Sequence, residues 1–194
     1  MTIILDLDDV LANLRESLYQ VMHRVTRIDK HWRDWTHYDL REHYQVDNAF
    51  LDDVLMRERA LESCQPEPGA AAMTQALAEL GCELIIITAR GWHPQAHELT
   101  QDWLKQHGMR HDRLHVTQLG GNKLDVLAAT TTPVDSILLA VDDHPNNLQR
   151  YRQAGIPTLM PSMPWNAQYH DAPRIHDLQA VVDYTQRRLA GSET

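Results

Sequence analysis

The side chains in this sequence that could do covalent chemistry together begin with two groups of carboxylates. Asp6, Asp8 and Asp9 lie near the start, and Asp142-Asp143 lie far along the chain. Each group directly follows an apolar run, Ile3-Ile4-Leu5 in one case and Ile137 to Val141 in the other. Acids at the end of a buried strand are costly unless they are paired, hydrogen-bonded or metal-bound, so the clustering asks for a cation. On the first stretch alone a plainer reading is equally open: an edge strand, then a solvated turn whose acids cap the next helix. Thr88, which ends a third apolar run, and Lys123, which opens a helix, decide between them. Two acid groups, a hydroxyl and a lysine at one sheet edge suit phosphoryl transfer. A hard divalent cation takes oxygen ligands and neutralises a phosphate. One carboxylate can attack phosphorus and form an aspartyl-phosphate, and a second can protonate the leaving oxygen. A lysine and a hydroxyl can hold the transferring oxygens.

Those residues need a scaffold that presents strand ends together. From Gly69 onward, helices and short apolar strands alternate. Helices are expected over 70–80, 94–106, 122–130, 146–154 and 176–189, and strands over 82–88, 113–117, 136–141 and 157–160. Residues 190–194 are expected to fray. This alternation implies an α/β fold, a parallel sheet covered on both faces. The block from Leu14 to Pro68 interrupts it immediately after the first strand. Within that block, residues 14–26 and 47–61 have helical apolar spacing, which assigns Phe50 and Met56 to a core. Between them His31, Trp32, Trp35, His37, Tyr38, His43 and Tyr44 follow in quick succession, and Gln65-Pro66-Glu67-Pro68-Gly69 closes the block. The organisation expected is a core of residues 1–13 and 69–194, with residues 14–68 forming a small helical cap over the strand ends.

Composition narrows the class. At 194 residues, 43% apolar and 23% charged, the chain has the make-up of a soluble globular protein. A formal net charge of −9 argues against a surface that coats long nucleic acid, though not against a single nucleotide. The two cysteines, Cys64 and Cys82, fit buried apolar positions in a reducing compartment. No stretch reads as a signal peptide or a membrane span, so a cytoplasmic protein without a membrane partner is expected. The sequence indicates no oligomeric state.

Asp6-Leu7-Asp8-Asp9-Val10, Thr88, Lys123 and Asp142-Asp143, in this order, resemble the four motifs of the haloacid dehalogenase superfamily. The match runs from end to end and implies a Rossmann-like three-layer core with a cap inserted after strand 1. By position, Asp6 resembles the nucleophile, Asp8 the general acid/base, Thr88 the phosphate-binding hydroxyl and Lys123 the lysine that steadies nucleophile and phosphate. The resemblance implies Mg²⁺ on the Asp6 side chain, the Asp8 backbone carbonyl, and Asp142 or Asp143. Asp143 is favoured as direct ligand and Asp142 as the partner of Lys123. The backbone around Asp9 and Ala89 would also contact phosphate. Asp9 departs from the family, which usually has a small residue there, often glycine. An acid at the position of Asp8 resembles phosphatases and phosphomutases rather than dehalogenases.

Finer details resemble the 5′(3′)-deoxyribonucleotidase group. They are the opening DLDDVLAN, the helical cap, EPGAAAMTQALAELG leading to IIITAR, GGNKLDVL, VDDHPNNL and the turn Pro164-Trp165-Asn166. The resemblance implies a small phosphomonoester substrate, such as a nucleoside monophosphate, hydrolysed with Mg²⁺. Trp32, Trp35, Tyr38 and Tyr44 could stack on a base or could form the core of the cap. Arg90 could reach the substrate or pair with an acid on the next helix. His144 follows the second acid pair and could line the pocket mouth, and Asn166 supports the pocket or simply shapes its turn. His93 and His97 are four apart but lack a third ligand, so a solvated face is expected. The rival functions are a phosphatase of a sugar phosphate or other small metabolite, a polynucleotide 3′-end phosphatase, a phosphomutase, and a non-catalytic domain that binds a phosphorylated ligand.

Overall fold

The computed structural model describes residues 1–130 and 132–191. Its strands are β1 (Thr2–Leu5), β2 (Ala12–Asn13), β3 (Gln65–Pro66), β4 (Glu83–Thr88), β5 (Arg113–Val116), β6 (Ile137–Val141), β7 (Thr158–Pro161) and β8 (Arg174–Ile175). The helices are α1 (Leu14–Thr26), α2 (Leu40–Tyr44), α3 (Asn48–Arg57), α4 (Ala60–Ser63), α5 (Ala70–Glu79), α6 (Ala96–Gln106), α7 (Lys123–Ala128), α8 (Pro145–Gln153) and α9 (Gln179–Leu189).

Six strands form one parallel sheet in the order β5-β4-β1-β6-β7-β8. The pleat sends successive residues of β1 to opposite faces. Ile3 and Leu5 join Ile86, Val141, Leu77 and Val181 on the side covered by α5 and α9. Ile4 joins Ile85, Ile87, Leu127 and Tyr151 beneath α7 and α8. With both faces buried, the strands read as unbroken apolar runs, which is why they were legible without alternation.

Helices α1 to α4 gather around a separate apolar cluster that includes Leu18, Met22, Trp35, Tyr44, Val54 and Leu55. The short antiparallel pair β2–β3 closes the neck of this segment, pairing Ala12 with Pro66 and Asn13 with Gln65. Neither of these strands nor β8 has an apolar run to announce it. The helix expected over 47–61 is two helices. Arg59 sits between them in the left-handed region at φ +54, its guanidinium bonded to Glu62. The break turns Ala60 and Leu61 inward and carries Cys64 to the core, where its carbonyl accepts from the Trp103 indole at 2.8 Å.

Phe50 and Met56 correct the sequence reading, since they are 39% and 43% exposed. The buried stripe of α3 runs through Val54 and Leu55, with Leu51 packed against the cluster, and the two residues fall on either side of it. Among the described residues no helix is long and apolar enough to cross a membrane. Ala190 and Gly191 follow α9, and the rest of the segment expected to fray, 192–194, lies outside the described residues.

Candidate active site

Parallel pairing of β1 with β6 sets Leu5 beside Val141, so both acid groups leave the sheet side by side. The Asp6 N–H donates to the Val141 carbonyl at 2.9 Å and fixes that junction. Strand order reverses direction between β1 and β6, which is where an open α/β sheet presents its ligand crevice.

Each acid of the first loop has its own cation. Lys123 Nζ lies 2.7 Å from Asp6 Oδ2 and 2.8 Å from Asp142 Oδ2. Lys123 is the first residue of α7, where the helix dipole disfavours a positive charge, and two carboxylates offset that cost. Arg90 donates from Nε to both oxygens of Asp8, at 3.1 and 3.0 Å, and from Nη2 to Oδ1 at 2.5 Å. Arg15 donates from Nε to Asp9 Oδ2 at 2.8 Å, and its backbone N–H donates to Asp9 Oδ1 at 2.9 Å. Asp9 sits at φ +59, a region aspartate tolerates better than most residues.

The second acid pair is held from behind. Asp142 Oδ1 accepts from the His144 N–H at 2.9 Å, and Asn147 Nδ2 lies 3.1 Å from both of its oxygens. Asp143 Oδ2 accepts from the Trp165 indole at 2.7 Å. The buried Asn166 amide donates to the carbonyls of Asp143 and Pro161, both at 2.9 Å, so it braces the loop that carries Asp143.

A cavity of about 340 Å³ opens above these groups. Asp6, Asp8, Ala89, Lys123 and His144 lie on its core side, while Leu14, Leu18, Tyr38, Leu51 and Leu55 face them from α1 to α4. Tyr38 meets His144 edge to face at 4.6 Å. Burial lowers the His144 pKa, which favours a neutral ring.

Several residues singled out in the sequence stand elsewhere. Trp35 is wholly buried in the α1–α4 cluster and Trp32 donates its indole N–H to Glu16; neither lines the cavity. Of the aromatics considered, Tyr38 does line it, and Trp92, which the sequence did not single out, joins it there. Gly91 delivers Trp92: a Cβ on Gly91 would stand 2.6 Å from the Thr117 carbonyl oxygen. Arg90 is 1% exposed and pairs with Asp8 rather than with an acid of the next helix, which it meets only through the Thr100 hydroxyl, and it does not line the cavity. The Thr88 hydroxyl donates to Asp8 Oδ2 at 3.3 Å. The Asp9 N–H donates to the Ala12 carbonyl at 2.7 Å, so it is not free for phosphate, and Asp9 is absent from the cavity wall. Asn147 was also missed. Its signal was its position in the first turn of the helix opened by His144-Pro145, from which a side chain can reach back to the strand end.

Asp6, Asp142 and Asp143 offer carboxylate oxygens that all lie within 4.8 Å of one another, and all three residues are buried. Burial, and then crowding by Asp142, Asp143 and Asp8, pushes the Asp6 pKa well up against the pull of Lys123. Burial and neighbouring Asp9 and Asp142 raise Asp143 to about 8. A pocket of hard oxygen donors with more negative charge than one lysine offsets fits a divalent cation.

A family model described as 5′ nucleotidase, deoxy (pyrimidine), cytosolic type C protein (NT5C) matches residues 1–189. The chain belongs to this family. As a member, it is a phosphatase of the haloacid dehalogenase superfamily. Solved structures share the fold at low identity. A haloacid dehalogenase-like hydrolase from Streptococcus pneumoniae superposes with a TM-score of 0.67 at 14% identity, covering 95% of this chain and 98% of that one. A haloacid dehalogenase superfamily hydrolase of subfamily IA from Geobacter sulfurreducens gives 0.62 at 16%, covering 94% of each. The D,D-heptose 1,7-bisphosphate phosphatase of B. bronchiseptica, solved with magnesium and phosphate, gives 0.56 at 16%, covering 97% and 99%. No curated protein matches the sequence.

Proposed function

We propose that this nucleotidase-family phosphatase is a Mg²⁺-dependent 5′(3′)-deoxyribonucleotidase-like enzyme that works through an aspartyl-phosphate on Asp6. The observation that carries the reading is the convergence of Asp6, Asp8 and Lys123 on one cavity, with Asp6 clustered with the Asp142 and Asp143 carboxylates. Asp6 attacks phosphorus, held in place by Lys123, while Asp8 gives a proton to the leaving ester oxygen. Asp8 then takes a proton from water, which attacks phosphorus, breaks the bond to Asp6 and releases inorganic phosphate. Arg90 and Thr88 orient the Asp8 carboxylate through these exchanges. Mg²⁺, held by Asp6, Asp143 and the Asp8 backbone carbonyl, would neutralise the charge of the phosphate. Asp143 suits direct ligation better than Asp142. Both Asp142 oxygens accept protein hydrogen bonds, whereas among the described residues only one Asp143 oxygen does.

Residues 14–68 act in this reading as a cap that selects the substrate. Tyr38 of the cap and Trp92 of the loop after β4 are the candidate base-stacking surfaces, in place of Trp32 and Trp35. Burial of both free cysteines fits a reducing, cytoplasmic setting. A second reading, a smaller phosphomonoester, is favoured by a cavity volume near the lower end for ligand sites. Phosphate release with Mg²⁺ across deoxy- and ribonucleoside 5′- and 3′-monophosphates and sugar phosphates separates the two. A preference for deoxynucleotides supports the first; activity on sugar phosphates alone replaces it with the second.

A further inference from the structure

Of the three cations that partner the first acid loop, two are largely committed. Lys123 is shared between Asp6 and Asp142, and Arg90 spends its nitrogens on Asp8, Thr100 and Cys64 away from the cavity. Arg15 differs. It is 5% exposed and lines the cavity, and only its Nε is tied, to Asp9. Its two terminal nitrogens make no hydrogen bond among the described residues, yet they are not among the sealed, unsatisfied polar atoms. The guanidinium lies 4.3 Å from the Tyr38 ring centroid and 4.6 Å from that of Trp165. Trp165 is itself bonded to Asp143. A guanidinium fixed at Nε and flanked by aromatic rings presents its other edge as a rigid two-donor fork, the geometry that matches an oxyanion.

We propose that Arg15 is a substrate-binding residue of this site, donating its terminal nitrogens to an oxyanion of the bound phosphomonoester. The inference rests on the phosphohydrolase reading above and adds to it a residue that none of the four motifs supplies. Asp9 is its positioning residue. An acid at this left-handed position, where glycine would be unstrained, is explained by the two hydrogen bonds that aim Arg15. The oxyanion is either the transferring phosphoryl group or a second anionic group on the leaving half, and the two have distinct signatures.

The test compares wild type with Arg15→Met, Arg15→Lys and Asp9→Gly, each first checked for a wild-type melting profile. Rates are measured on p-nitrophenyl phosphate, a nucleoside 5′-monophosphate and a nucleoside 3′,5′-bisphosphate, and inorganic phosphate binding is titrated calorimetrically with Mg²⁺. If Arg15 holds the phosphoryl group, Arg15→Met raises every KM about tenfold and weakens phosphate binding to match, with kcat little changed. If it holds a second anion, only the bisphosphate KM rises, and phosphate binding is unmoved. Arg15→Lys should recover part of either loss, and Asp9→Gly should reproduce part of it while folding as well as wild type. Unchanged KM values and phosphate affinity in a folded Arg15→Met overturn the inference while leaving the phosphatase reading intact. If wild type hydrolyses none of the substrates, that reading fails, and equal affinity of wild type and Arg15→Met for both inorganic phosphate and the nucleoside 3′,5′-bisphosphate, titrated in the same way, overturns the Arg15 assignment as well.

Discussion

The core side of the cavity and the cap side are built on opposite principles. On the core side Asp6, Lys123 and Asp142 are buried and tied to one another at 2.7 and 2.8 Å, and each stands at the end of a strand or the start of a helix. On the cap side leucines from α1 to α4 alternate with polar residues such as Asp39, Arg41, Asn48 and Asp52, and Tyr38 stands beside a guanidinium set among rings. A displacement on the core side breaks a charge pair, whereas a displacement in the cap repacks apolar surface. On the function proposed here, the difference assigns the reaction to the sheet edge and substrate choice to the helices over it.

The largest effect that could break this division is on turnover. Asp6→Asn should lower phosphate release by at least about 10⁴-fold while the thermal melt stays at or above the wild-type value, because one crowding carboxylate is gone. Normal turnover in that variant would place the nucleophile elsewhere. Next comes Lys123→Met, which leaves Asp6 and Asp142 buried without their cation. Urea unfolding should show a loss of about 3–5 kcal/mol, the penalty of leaving buried charges unpaired.

The core side was also the legible side. An apolar run ending in acids has few solutions in a parallel sheet, so once Thr88 and Lys123 excluded a solvated turn, Asp6, Asp8, Asp142 and Asp143 could be placed at strand ends. The pairing of Lys123 with Asp142 was an expectation of the superfamily resemblance rather than of any local pattern, and the ion pair at 2.8 Å agrees with it. The cap was harder because helical spacing says which residues share a face but not how far the helix runs or which face is covered. The break at Arg59 carries no proline or glycine to mark it, and Phe50 and Met56 lie beside the buried stripe of α3 rather than on it. Trp35 and Tyr38 lie three apart, yet one packs in the cap core and the other faces the cavity. No local pattern distinguishes them. Arg15 was invisible for another reason: its role depends on Tyr38 and Trp165, which only the folded chain brings to it.

Smaller effects sharpen the comparison within each side. Trp35→Ala should cost about 3 kcal/mol and raise hydrogen exchange across α1 to α4 while the central sheet stays protected. Equal loss of protection in the sheet would show that the two clusters unfold together. Mg²⁺ at a hundredfold its dissociation constant should stabilise the protein by about 2.7 kcal/mol, and the gain should fall sharply in Asp143→Asn. An unchanged gain in that variant would assign the ion to Asp142. At the bottom of the scale, Phe50→Ser should change stability by no more than about 0.5 kcal/mol, since Phe50 is exposed.

The most direct measurement is to quench a single turnover in acid and locate the phosphoryl group by mass spectrometry. One phosphoryl group on the peptide carrying Asp6, lost on hydroxylamine treatment and absent in Asp6→Asn, is the predicted result. Inorganic phosphate accumulating through millisecond quench times with no phosphoryl group on the protein, and none in any peptide containing Asp6, would contradict it.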